Sequence, residues 1–84
     1  MYRLNIKERA QKDVKKLAPS FRTRIAALIR SLAEEPRPSG AKKLTTKEEW
    51  RLRQGDYRIL YTIDDKNKIV TVVRVKHRRE VYRR

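Results

Sequence analysis

The chain contains no cysteine, only two glycines and no long apolar run. Each absence closes a class of protein. Without cysteine there is no disulfide framework and no thiolate metal site, which fits a reducing, cytoplasmic setting. One histidine, His77, and scattered carboxylates do not make an all-protein metal cage, so neither a metal nor a cofactor is expected. Two glycines cannot build a glycine-rich phosphate loop. No segment approaches the roughly 20 apolar residues of a membrane-spanning helix, and residues 1–7 lack the apolar stretch of a signal peptide. Acidic residues are scarce too. Ten Asp plus Glu stand against 24 Lys plus Arg, for a net charge of +14. Such an excess opposes compaction by self-repulsion. It implies an anionic partner: a nucleic acid, an acidic protein or, least well supported, a membrane surface.

The 84 residues suffice for one small domain, residues 1–84, with a compact core. Tyr2, Leu4 and Ile6 alternate with polar residues, a strand signal. Ala10, Val14 and Leu17 then fall at helical spacing. Pro19 is read as closing that helix and Ser20 as the N-cap of a second. In the second helix Phe21, Ile25, Leu28, Ile29 and Leu32 form the stripe expected to be buried, with Arg22, Arg24 and Arg30 outward. The short link makes the helices an antiparallel hairpin. Residues 36–48 read as a basic connector that starts as loop. Three strand-like runs follow, at residues 50–53, 57–63 and 68–75, with a turn at residues 64–67. The expected fold is therefore α+β: an N-terminal strand, a two-helix hairpin, and a three-stranded antiparallel meander completing a four-stranded sheet. The helices cover one face, and the other is left open.

The most informative segment is Trp50-Arg51-Leu52-Arg53-Gln54-Gly55-Asp56-Tyr57-Arg58-Ile59-Leu60-Tyr61, two strands around a tight turn expected at Gln54-Gly55-Asp56. Successive strand residues point to opposite faces. Trp50 and Leu52 share one face, Arg51 and Arg53 the other. Taken singly, each arginine is an ordinary solubilising charge. Arg51, Arg53 and Arg58 on one hairpin are harder to dismiss, because like charges crowded across strands are destabilising. Arginine also binds phosphate in planar, bidentate fashion. The tail offers Lys76, His77, Arg78, Arg79 and Tyr82 after an apolar strand. Imidazole as a side-chain type can exchange a proton near neutrality, so His77 reads as an acid or base, or as incidental. Tyr82 stacks on a base or packs on the helices. Lys42, Lys43 and Lys47 form a third, weaker cluster. Tyr57, Tyr61 and Trp50 read as core or core edge. No carboxylate pair and no nucleophile–base motif is placed for catalysis.

Taken together, an Arg-x-Arg strand, Gly55-Asp56-Tyr57-Arg58-Ile59-Leu60-Tyr61, and a hydrophobic strand ending in His77-Arg78-Arg79-Glu80-Val81-Tyr82 resemble the RelE branch of the RelE/ParE toxin superfamily. Lys42-Lys43-Leu44 resembles that family's basic linker, and the likeness covers essentially the whole chain. The resemblance implies a toxin that cleaves messenger RNA in the ribosomal A site. It also implies an acidic, RelB-like antitoxin that neutralises the toxin in a higher-order hetero-oligomer. Arg58 falls on the family's strand arginine, Arg78 on its C-terminal arginine and Tyr82 on its C-terminal tyrosine. Arg51 and Arg53 fall where the family often carries a lysine pair, although the turn length differs. The implied chemistry is attack of the message's own 2′-OH on the adjacent phosphate, which needs positioning and charge stabilisation. Arg58, Arg78, Tyr82 and His77 are the candidate catalytic residues; Arg51, Arg53, Lys42, Lys43 and Arg79 are the candidate RNA contacts. The alternatives are a ParE-like gyrase inhibitor on the same fold and a non-catalytic RNA- or ribosome-binding protein.

Overall fold

A computed structural model describes residues 1–45 and 47–77. The chain runs β1 (Arg3–Ile6), α1 (Glu8–Lys15), α2 (Pro19–Ser31), β2 (Lys42–Lys43), β3 (Trp50–Gln54), β4 (Tyr57–Asp64) and β5 (Ile69–His77). The sheet order is β1-β5-β4-β3-β2. β1 runs parallel to β5 and every other pair is antiparallel. The α+β order is the one expected, but the sheet has five strands rather than four. The extra strand lies within the basic connector. Leu44 N–H donates to the Glu49 carbonyl at 2.9 Å, which folds Lys42 and Lys43 back against Arg51 and Trp50.

Pro19 opens the second helix rather than closing the first. Its fixed φ suits the first helical turn, where its missing N–H has no intrahelical partner to lose. Ala18, not Ser20, occupies the N-cap, without a side-chain cap bond. The end of α1 is satisfied instead from α2, since Arg22 Nη2 donates to the carbonyls of Lys15 and Leu17 at 3.2 and 3.1 Å.

One face of the sheet meets the helices. Ala10, Leu17, Ile25, Ile29 and Leu32 pack against Leu52, Ile59, Tyr61, Val70, Val72 and Val75. Phe21 departs from the expected stripe: it is 37% exposed, touching Tyr57 at the sheet's end. The connector after α2 is strapped to this core. The buried Tyr61 hydroxyl donates to the Pro36 carbonyl at 2.7 Å, and Arg37 holds Asp65 with two hydrogen bonds at 2.7 and 3.3 Å. Arg37 also lies 5.2 Å from the Trp50 ring, which is half-buried at the core's margin. No helix among the described residues is long and apolar enough to cross a membrane.

Candidate nucleic-acid interface

The β3–β4 hairpin turns at Gly55-Asp56, with Gln54 paired to Tyr57. Gly55 takes φ +60°, the left-handed conformation that glycine reaches without steric cost, at the first central position of a two-residue turn. This turn locks the register. Leu52 faces Ile59 on the helix side, and Arg53 faces Arg58 on the other. Arg53 and Arg58 are thus direct cross-strand neighbours, on the face the alternation predicted.

The next strand extends the row. Arg58 pairs with Lys76 of β5, so Arg53, Arg58 and Lys76 stand side by side on three strands. One row along, Lys42 of β2 pairs with Arg51, and Arg51 with Leu60. Lys42, Arg51, Arg53, Arg58 and Lys76 therefore share the face away from the helices. Arg58 is 7% exposed, the only buried charged residue among those described. Arg51 is half-buried, and its Nε is a buried donor with no hydrogen-bond acceptor among the described residues. Buried donors without acceptors are rare in folded proteins; on a cationic face, such a group is available to an anionic ligand. Lys43 is turned to the other side, paired with Trp50, and its ammonium lies 3.3 Å from Glu48.

β5 carries an irregularity that decides its outer half. Tyr61 pairs with Val72 but Leu60 with Arg74, leaving Val73 as an extra residue, a β-bulge. Beyond it Val75 returns to the core opposite Ile59, Lys76 joins Arg58, and His77 faces Tyr57 on the helix side. The His77 and Tyr57 rings meet edge-on with centroids 5.0 Å apart. The structure therefore brings Arg51, Arg53, Arg58 and Lys42 together, adds Lys76, and places His77 on the opposite face from Arg58. Arg78, Arg79 and Tyr82 lie outside the described residues.

Asp13 secures this end of β5. β1 pairs with β5 only through Val72, so the edge beyond has no partner among the described strands. Asp13 of α1 fills the gap, accepting from Val75 N–H at 2.9 Å and from Arg74 Nε and Nη2 at 2.8 and 3.2 Å. Burial pushes the Asp13 carboxyl up, but these hydrogen bonds and the Arg74 charge outweigh it and hold the pKa below the usual value. Asp13 was legible in principle, since residues 10, 13, 14 and 17 lie on one helical stripe.

A cationic sheet face with helices behind it defines a class of small basic α+β domains, and similarity to known proteins specifies the family. Residues 4–82 match the family described as ParE toxin of type II toxin-antitoxin system, parDE. Toxin RelG of Mycobacterium tuberculosis is 34% identical over 90 residues, spanning 99% of this chain and 98% of the relative. Among solved structures, the M. tuberculosis toxin–antitoxin complex RelBE2 matches with TM-score 0.82 and 31% identity, over 92% of this chain and 98% of that one. The intact E. coli RelBE toxin–antitoxin complex matches with TM-score 0.77 and 28% identity, over 92% and 96%. The chain belongs to the RelE branch of the RelE/ParE superfamily and is a toxin of type II toxin–antitoxin systems.

Proposed function

We propose that this toxin is a ribosome-dependent endoribonuclease that cleaves messenger RNA in the A site and so stops translation in the cytoplasm. The observation that carries the reading is the row Arg53–Arg58–Lys76, with Arg58 buried at its centre. Three cations held side by side on a sheet match a crowded phosphate better than they serve stability. In the proposed step the ribose 2′-oxygen attacks the adjacent phosphorus and the P–O5′ bond breaks. The products are a 2′,3′-cyclic phosphate and a free 5′-OH. The 2′-OH proton goes to a base, and the leaving 5′-oxygen takes a proton from an acid. Arg58 and Lys76, with Arg78 of the tail, bind the phosphate as its charge builds. Arg51, Arg53 and Lys42 hold the neighbouring backbone; Lys43 and Arg79 are proposed as outer RNA contacts. Tyr82 is the proposed proton-handling or base-stacking residue. His77, proposed from sequence for the same work, faces away from Arg58 and is given a different role below.

The partner that neutralises the toxin is proposed to be an acidic, RelB-like antitoxin in a hetero-oligomer. A net charge of +14 favours such a partner, and the matched M. tuberculosis and E. coli structures are toxin–antitoxin complexes.

The test is a cell-free translation reaction read by primer extension. Arg58→Ala and Lys76→Ala should each lower A-site cutting by about 10²–10³-fold, the usual cost of removing one charge-stabilising donor, while the proteins stay folded. Parent-like cutting by both variants refutes the site. The family match under the ParE name favours one second reading, inhibition of DNA gyrase. A gyrase supercoiling assay run beside the translation assay separates the two.

A further inference from the structure

The helix-facing side of the same sheet end carries an aromatic group that the cleavage site does not use. Phe21, at the start of α2, lies 5.2 Å from Tyr57, and Tyr57 lies 5.0 Å from His77. Phe21 is 37% exposed and, with Met1, makes up the exposed large hydrophobics of the described chain. Its ring has the Arg24 guanidinium 6.0 Å from its centroid. Beside Tyr57 and His77 opens a cleft of about 190 Å³, lined by Asp13, Lys16, Leu17, Tyr57, Val75 and His77. Leu17 and Val75 give it apolar walls, Lys16 brings a cation, and the Asp13 carboxylate in its lining is engaged by Arg74 and Val75 N–H.

We infer that this Phe21–Tyr57–His77 cluster, with Lys16 and Arg24, is a second RNA contact that holds one unpaired nucleotide by base stacking. The inference rests on the RNA-cleaving reading and goes beyond it, since it assigns the face opposite Arg58. Three features support it. The cleft is smaller than the roughly 300–1,000 Å³ typical of drug-sized ligands, which suits one flat ring system. Aromatic rings flanked by cations are the general means of holding single strands, because every base has a stacking face and every nucleotide a phosphate. Tyr57 and His77 are also the chain neighbours of Arg58 and Lys76. The aromatic pair and the cation pair therefore sit at adjacent levels of the same two strands, on opposite faces. An RNA strand that bends round this end of the sheet reaches both. The net charge of the chain attracts RNA and acidic peptides alike and the rings favour RNA, so a protein partner is the competing outcome of the test.

The probe is a short single-stranded oligoribonucleotide carrying 2-aminopurine at one internal position, titrated with the full-length toxin at fixed salt. Stacking on a ring quenches 2-aminopurine fluorescence. Arg58→Ala should keep the quench while losing cleavage in translation. Phe21→Ala and His77→Ala should abolish the quench and weaken binding about five- to hundredfold, the range for losing one stacked base. Tyr57 is half-buried, so it is tested as Tyr57→Phe, which should retain the quench, against Tyr57→Leu, which should lose it at unchanged circular dichroism. Parent-like quenching in Phe21→Ala and His77→Ala overturns the inference. So does selective loss of antitoxin binding in those variants, which would make the patch a protein dock. Cleavage by the parent without any quench overturns the stacking site and leaves the proposed activity standing. Quench without cleavage has the opposite meaning.

Discussion

Replacing Asp13 tests how the cationic row is held in place. Its carboxylate accepts from Val75 N–H and binds Arg74 in bidentate fashion, with the Asp13 and Arg74 side chains 12% and 22% exposed. Asp13→Ala takes this acceptor from Val75 N–H, which costs about 1–3 kcal/mol for a buried group. It also takes the carboxylate from Arg74. Breaking a fully buried pair costs about 3–5 kcal/mol; partial exposure of both partners cuts this to about 1–2 kcal/mol by solvent screening. The sum is about 2–5 kcal/mol. A domain of this size loses roughly 4–8 °C of Tm per kcal/mol, so Tm should fall by about 8–40 °C. Asp13→Asn keeps a carbonyl oxygen for Val75 and loses the charge, so it should cost about half as much.

The pH dependence supplies the sharper check. The Asp13 pKa is lowered in the folded chain from its ordinary value of 3.8. On acidification the unfolded chain takes up this proton first, so the stabilisation is full above about pH 4 and fades as the pH falls through the folded pKa. Urea unfolding followed by circular dichroism should show a gap between parent and Asp13→Asn at pH 7 that narrows toward pH 2. A gap that stays constant, or an Asp13→Ala variant within about 2 °C of the parent, refutes the account of this latch. Lys76 lies just beyond Val75, so Asp13→Ala should also reduce cleavage more than Tm loss alone explains at a temperature where the variant remains folded.

Tyr61→Phe leaves the buried Pro36 carbonyl without its donor and should cost about 1–2 kcal/mol in urea unfolding. Burial pushes the Tyr61 phenol up to about 12; the unfolded chain ionises first, so stability is full below about pH 10 and is lost on the way to pH 12, readable as tyrosinate absorbance appearing together with unfolding. Gly55→Ala meets no atom within 4 Å but must keep φ +60°, so it should destabilise by about 1–2 kcal/mol through backbone strain alone; an unchanged urea midpoint would show that the turn relaxes. Asp65 is held down to about 2, chiefly by the Arg37 hydrogen bonds, yet it is exposed, and Asp65→Asn should therefore move Tm by no more than a few degrees, with the shift vanishing at high salt.

Much of the architecture was readable because it follows local periodicity. The alternation around Gly55 placed Leu52 with Ile59 and Arg53 with Arg58, and the helical stripe placed Ile25, Ile29 and Leu32 in the core. The exceptions have long-range causes. β2 exists because Leu44 closes onto Glu49, and two lysines carry no strand signal of their own. Phe21 fits the helical stripe but lies where α2 runs to the end of the sheet. It meets Tyr57 instead of the core. Pro19 is compatible with either a helix stop or a helix start, and the structure places it in the first turn of α2.

The bulge at Val73 explains the largest difference between sequence and site. Strict alternation from Val70 and Val72 puts Arg74 and Lys76 under the helices, and turns His77 toward Arg58. One extra residue inverts that parity. Val75 then fills the core, Lys76 completes the row with Arg53 and Arg58, and His77 joins Tyr57. The apolar run Val72-Val73 conceals the insertion, because both residues suit a buried strand. The remaining clue is energetic. Keeping regular alternation would have buried two cations beneath the helices while turning Val75 out to solvent, which costs far more free energy than one unpaired ladder position. The fold adopts the lower-energy arrangement, and in doing so selects a lysine rather than a histidine as the neighbour of Arg58.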